Sequence, residues 1–260
     1  MARLAQRIIA LAVVLNGAWH VQLSAATNAS AVMRPASSTN RLVVGQAGYK
    51  YIALLPNAPA RGQKRFPLII FLHGACPNED LTKFRHFSPM KYGLDHPGFP
   101  FMVACPATSR GWAVPTLNHF LRHLQTTYPV DPDRIYLTGH SMGGHATWAW
   151  ALAAPTRFAA IAPAAGGGNV QEAERTLQLL PVWIFHGVKD TVVPVAYGQA
   201  MAEALKAGGN VKTTFYPDLG HDTWDPPYRS AELYDWFLEH RRENGAPARH
   251  APTQRPPQSR

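Results

Sequence analysis

Cysteine is close to absent from this chain: among 260 residues there are only Cys76 and Cys105. Two thiols make neither a disulfide framework nor a four-cysteine zinc site. Histidine is more plentiful, at 12, but no H-E-x-x-H pair or other metal-ligand spacing appears, and no G-x-G-x-x-G follows the first strand. Those gaps speak against metal-assisted hydrolysis and dinucleotide chemistry, so no metal and no other cofactor is expected. Long hydrophobic runs are also missing. The apolar stretch from Ile8 to Ala18 is interrupted by Asn16, followed by His20, and too short to span a bilayer.

Acidic residues are scarce, 16 against 25 Lys and Arg, for a formal charge of +9. The excess is uneven along the chain. Residues 41–240 hold 17 bases and 15 acids, whereas the two ends hold the other eight bases and only Glu243. The basic balance is thus mostly a property of the termini, and no nucleic-acid partner is expected.

What is present divides the chain. Arg3 and Arg7, the apolar stretch after them and the small residues Ser24, Ala25 and Ala26 read as a secretory signal peptide over residues 1–26. A secreted or periplasmic protein follows, with no stable membrane insertion once the leader is cleaved. An oxidising compartment permits a disulfide between Cys76 and Cys105, each placed after an apolar run at one sheet edge, with two thiols as the alternative. Residues 27–40, rich in Ala, Ser, Thr and Asn, read as a flexible spacer. Residues 245–260 read as a disordered basic tail with Pro247, Pro256 and Pro257.

Between these ends, residues 41–244 suffice for one well-buried domain. Short apolar runs alternate with helical patterns, which predicts the α/β class, with a mostly parallel eight-stranded sheet and helices on both faces. The expected strands are Arg41–Val44, Tyr51–Leu55, Leu68–His73, Phe101–Cys105, Arg134–Thr138, Ala159–Pro163, Val182–His186 and Val211–Tyr216. Leu117, Phe120, Leu121, Leu124 and Tyr128 share one helical face, as do Leu233, Trp236, Phe237 and His240.

The chemistry centres on Gly139-His140-Ser141-Met142-Gly143-Gly144, directly after one expected strand and directly before the helical stretch His145–Ala154. This is the G-x-S-x-G strand-to-helix turn, which needs glycines two residues either side of a strained, projecting serine. A serine hydroxyl is a weak nucleophile, so it needs a histidine base oriented by a carboxylate. His221 follows the last strand, and Asp190 follows the strand Val182–His186. Asp218 and Asp222 are the alternative acids, less suited because they share the short loop of His221. His140 and His145 read as structural or pocket residues. Met142 supplies one backbone N–H for an oxyanion, and the loop His73-Gly74-Ala75-Cys76-Pro77 the second, from Ala75 first and Cys76 next, since Pro77 has none. Trp112 and Trp224 are candidate walls of the substrate pocket, and Gly166-Gly167-Gly168 lies either in the same cleft or in a flexible connection.

At this point the chain resembles the α/β-hydrolase superfamily, in the phospholipase/carboxylesterase-like and predicted-peptidase branch near dienelactone hydrolases, feruloyl esterases and polyhydroxybutyrate depolymerases. The resemblance runs over about residues 50–241. It rests on Phe66 to Ala75, Val130 to Gly139, the serine turn, Phe158 to Pro163, Pro181 to Gly187 and Gly220 to Trp224, and departs at Cys76-Pro77. It implies the α/β-hydrolase fold and a serine hydrolase for a small-molecule or polymer-borne carboxylic ester using Ser141, Asp190 and His221, while the spacing from Ser141 to Asp190 leaves no room for a separate lid domain. A serine peptidase or amidase on the same scaffold, or a silent binding protein that keeps it, are the other readings.

Overall fold

The computed structural model describes residues 20–22, 31–34, 40–57, 62–76, 79–86 and 88–242. Its centre is one sheet whose eight expected strands are all present. In chain order, after two short strands β1 (His20–Gln22) and β2 (Ala31–Arg34), they are β3 (Arg41–Ala47), β4 (Tyr49–Leu55), β5 (Phe66–Leu72), β6 (Met102–Ala107), β7 (Val130–His140), β8 (Ala160–Ala164), β9 (Val182–Gly187) and β10 (Val211–Tyr216). The spatial order is β1-β2-β3-β4-β6-β5-β7-β8-β9-β10. From β6 to β10 all neighbours are parallel, while β1 to β4 extend the sheet as an antiparallel edge.

The first two strands depart from the expected organisation. β2 falls within the stretch read as a flexible spacer, yet it pairs with β3 from Ala31↔Val44 to Met33↔Leu42. The exposed edge of β3 offers unpaired backbone donors and acceptors, and an adjoining extended segment satisfies them. Asn40, the last residue of the expected spacer, is buried and donates from Nδ2 to the Gly93 carbonyl at 2.8 Å; the remaining residues of the expected leader and spacer, and the whole expected tail, lie outside the described residues.

Alternation along β5 shows why the sheet is covered twice. Phe66, Leu68, Ile70 and Leu72 join one core, and Ile69 and Phe71 join the other. The first core is closed by α2 (Val114–Thr127), α3 (Met142–Ala153), α4 (Val170–Thr176) and α5 (Ala196–Leu205) through Phe120, Trp148, Ala173 and Met201. The second is closed by α1 (Ser88–Asp95), α6 (Pro226–Arg229) and α7 (Ala231–Glu239) through Met90, Tyr228 and Phe237. Helix α3 is apolar nearly all round because β7, β8 and α2 surround it.

The sheet register also keeps the two cysteines apart. Ile70 pairs with Ala104, so Cys105 lies level with Phe71, five residues short of Cys76. Cys105 lies within β6 with its side chain fully buried in the second core, and Cys76 is carried past the sheet's edge, so the disulfide considered above is not formed.

Docking of α7 is the step that seals the second core, with the Phe237 ring stacked on Tyr136 at 4.8 Å. Phe237→Ala is expected to cost about 3–5 kcal/mol, read as a lowered urea midpoint at unchanged slope; an unaltered midpoint would show that this core does not depend on α7.

Candidate active site

The parallel strands end at one pole, and the loops leaving them carry the candidate catalytic groups. Strand β7 turns into α3 through Ser141, whose φ of 56° and ψ of −117° lie where L-residues are strained. Its neighbours explain how the turn is tolerated. A Cβ on Gly143 would lie 1.8 Å from the Leu72 carbonyl oxygen, and one on Gly139 would lie 2.5 Å from that of Gly143. The chain can cross between β5 and β8 this closely only where side chains are missing.

Ser141 Oγ lies 2.9 Å from His221 Nε2, and His221 Nδ1 lies 2.8 Å from Asp190 Oδ2. The other carboxylate oxygen of Asp190 accepts the backbone N–H groups of Val192 and Val193 at 2.9 and 2.8 Å. Burial alone would raise the Asp190 pKa, but the His221 bond and the two N–H donors together hold it below the usual carboxylate range. An ionised carboxylate only accepts, so Nδ1 of His221 carries the proton and Nε2 is left to take the serine's. The loops carrying acid and base touch backbone to backbone: a Cβ on Gly187 would lie 2.1 Å from the Gly220 carbonyl oxygen. Val188 and Lys189 donate to Tyr216 and Leu219 across the same contact. Asp218, the neighbouring acid considered above, instead points outward to Lys189 at 2.9 Å.

Three further histidines brace this arrangement. His140 Nε2–H donates to the His221 carbonyl at 2.8 Å, and its Nδ1 faces Gly74. His73 Nε2 accepts the Thr108 N–H at 3.1 Å while Nδ1 donates to the Gly74 carbonyl. His186, fully buried, donates from Nε2 to the Val193 carbonyl at 2.8 Å. Burial lowers the pKa of all three, that of His140 to about 4, so they are neutral donors. His186, Gly187 and Gly220 fall within the segments that carry the resemblance, but the sequence assigns them no role, because their work is done through backbone contacts with distant loops.

A cleft of about 560 Å³ opens over Ser141 and His221. Phe71, Phe84, Ala107, Val192 and Trp224 give it apolar walls, Ala75 and Cys76 border it, and Asp80 and Lys83 stand at its mouth. Gly74 brings its loop against the serine, since a Cβ there would lie 3.3 Å from Ser141 Cβ. Met142 opens α3, where the first N–H groups lack helical acceptors. Trp112 is a correction: it stands behind the wall, its indole N–H bonded to the His73 carbonyl at 3.1 Å and its ring edge-on to His73 and Tyr49. The three glycines 166–168 pack on Gly144, Tyr197 and Trp148 and do not line the cleft. Among the described residues no cluster of three or more His, Cys, Asp or Glu side chains could hold a metal ion.

Comparison with known proteins bears on the same segments. A family model described as phospholipase/carboxylesterase matches residues 112–232, which include Ser141, Asp190 and His221. A bifunctional acetylxylan esterase/xylanase of Neocallimastix patriciarum is 27% identical over 193 residues, covering 69% of this chain and 27% of that protein. Three other curated relatives are matched over about half of their length, at 51%, 50% and 51%. Among solved structures, a thermostable esterase aligns with a TM-score of 0.66 and 27% identity over 78% of this chain and 64% of that one. A feruloyl esterase module from Clostridium thermocellum complexed with sinapinate aligns with a TM-score of 0.59 and 16% identity over 78% and 88%, a likeness of fold.

The neutral histidines make stability pH-dependent. The unfolded chain takes up their protons near pH 6.5 and the folded chain only lower, for His140 near 4. Stability is therefore complete above about pH 6.5 and falls toward pH 4, by up to about 1.4 kcal/mol per pH unit for each such histidine. Asp190 adds a loss only below the usual carboxylate range. Thermal melts at pH 7, 5.5 and 4.5 should show the decline, and it should be shallower in His140→Gln; a flat profile would contradict burial as the cause.

Proposed function

We propose that this chain, which belongs to the α/β-hydrolase superfamily, is an exported serine hydrolase that cleaves carboxylic esters through an acyl-enzyme. The observation that carries the reading is the hydrogen-bonded run Ser141 Oγ–His221 Nε2 and His221 Nδ1–Asp190, mounted on a strained strand-to-helix turn. Ser141 Oγ attacks the ester carbonyl and passes its proton to His221 Nε2, whose imidazolium Asp190 stabilises. The oxyanion takes the N–H groups of Met142 and Ala75, with the α3 dipole behind Met142. His221 then protonates the leaving alkoxide. Water, deprotonated by His221, attacks the acyl carbonyl and restores the serine.

The cleft supports an apolar acyl or alcohol group against Phe71, Phe84 and Trp224, with polar substituents toward Asp80 and Lys83 at the mouth. Among the described residues no separate domain covers it, so turnover of soluble esters should show no sharp rise at a lipid–water interface. The name of the acetylxylan esterase relative supports an ester over an amide, and the leader motif over residues 1–26 supports action outside the cytoplasm.

A fluorophosphonate probe followed by peptide mapping should label Ser141 alone, and Ser141→Ala should abolish turnover with the melt unchanged. Asp190→Asn should lower kcat by on the order of 10³–10⁴, because it turns the His221 ring to the wrong tautomer. Matched ester and amide substrates decide between esterase and amidase: faster amide cleavage would replace the ester reading with the peptidase one, and absent labelling in folded protein would end both.

A further inference from the structure

The pole opposite the cleft, where β5 and β7 begin, carries a second kind of site. Lys64 and Arg65 precede β5, and Asp131, Asp133 and Arg134 lie in the first turn of β7, together lining a depression of about 410 Å³ with Gln63 and Arg241. Beside it, a groove of about 520 Å³ is lined by Gln125, Thr156, Arg157 and Arg242. Arg242 joins the two, donating to the carbonyls of Pro132 and Arg157.

The charge at this pole is lopsided. Residues 41–242 hold 19 Lys and Arg against 15 Asp and Glu. Six bases (Lys64, Arg65, Arg134, Arg157, Arg241 and Arg242) and two acids line the two depressions, and Arg122 adds its charge beside Arg157. Both acids are already occupied: Asp131 pairs with Arg134 and Arg241, and Asp133 with Arg241. Among the described residues Lys64, Arg65, Arg122 and Arg157 have no carboxylate in salt-bridge range. The Arg242 Nε is buried with no acceptor. Burial first, then the nearby Arg122 and Arg242 charges, push the Arg157 pKa down, so Arg157 lies within the fields of the other two guanidinium groups.

We propose that this pole is a docking surface for a polysaccharide bearing carboxylates, which would hold the protein on an acidic matrix while the cleft faces away from it. Arginine forks pair with carboxylates two bonds at a time, and the amide and hydroxyl groups of Gln63, Gln125 and Thr156 suit sugar hydroxyls. The two depressions adjoin at Arg242, as binding of successive charged sugars of one chain would require. A bilayer presents a flat array of headgroups and enters neither. The 11 residues of β7 separate this surface from Ser141 by roughly 30 Å, so the tether does not depend on the ester reading.

The test is electrophoresis of the full chain through native gels containing polygalacturonate or neutral arabinoxylan, with turnover of a small soluble ester measured in parallel. Polygalacturonate alone should retard the protein, and the effect should fade as ionic strength rises from about 20 to about 200 mM. A variant carrying Lys64→Gln, Arg65→Gln, Arg122→Gln and Arg157→Gln, which breaks no ion pair among the described residues, should bind at least about tenfold more weakly with ester turnover unchanged. Equal retardation of the variant, retardation by arabinoxylan, or tighter binding to phosphatidylglycerol vesicles than to polygalacturonate would each overturn the proposal. Loss of ester turnover with retardation intact would count against the esterase reading alone.

Discussion

The closeness of three backbones sets the rest of this structure. Between Leu72 at the end of β5 and Ala164 at the end of β8, the chain turns from β7 into α3 through Gly139, Ser141, Gly143 and Gly144. Cβ atoms on the last two would lie 1.8 Å from the Leu72 carbonyl oxygen and 2.3 Å from that of Ala164. No side chain fits there, so the crossing is possible only for glycine. Its product is a serine held at positive φ above the sheet, at the start of a helix whose other sides are sealed in the core. The strain is borne by the packing of α3, through the fully buried Trp148 and Trp150.

The same economy of backbone contact joins the loops after β9 and β10. Gly187 and Gly220 meet so closely that acid and base loops are set as one unit, and His140 ties that unit to the serine turn through the His221 carbonyl. Around one ionised carboxylate the protein places His140 and His186 in neutral form, and it keeps His73 neutral beside the Gly74 loop, each with a backbone carbonyl to hold. Neutral neighbours keep the local field dominated by Asp190. In the proposed mechanism, an added positive charge beside His221 would oppose the imidazolium formed when Ser141 gives up its proton.

The parallel strands give the molecule two chemically distinct ends. Carboxyl ends of β5, β7, β9 and β10 present the loops of the cleft, and the amino ends of β5 and β7 present arginine and lysine around two depressions. In linear order those bases are scattered from Lys64 to Arg242 among acids that belong to other surfaces. The body of the chain therefore looks almost neutral when counted along the sequence. Folding sorts the charges by pole, which a count cannot do.

Much of the fold and the site was legible beforehand, for local reasons. The eight strands are short apolar runs bounded by turn residues, and the G-x-S-x-G spacing reports a steric need confined to five residues. The order of serine, acid and histidine follows from successive strands ending at one pole, which brings Asp190 and His221 into reach of Ser141. What the sequence did not reveal depends on distant partners. The edge strand Ala31–Arg34 exists because β3 had an open side; Trp112 packs on His73 because the intervening loops fold it behind the cleft wall; Phe84 reaches the cleft from a short helical turn with no periodic pattern. Local steric and hydrophobic rules thus determined the elements and the reactive residues, whereas the walls of the cleft, the braces of the histidines and the basic pole were decided by long-range packing, whose energies no short window of sequence contains.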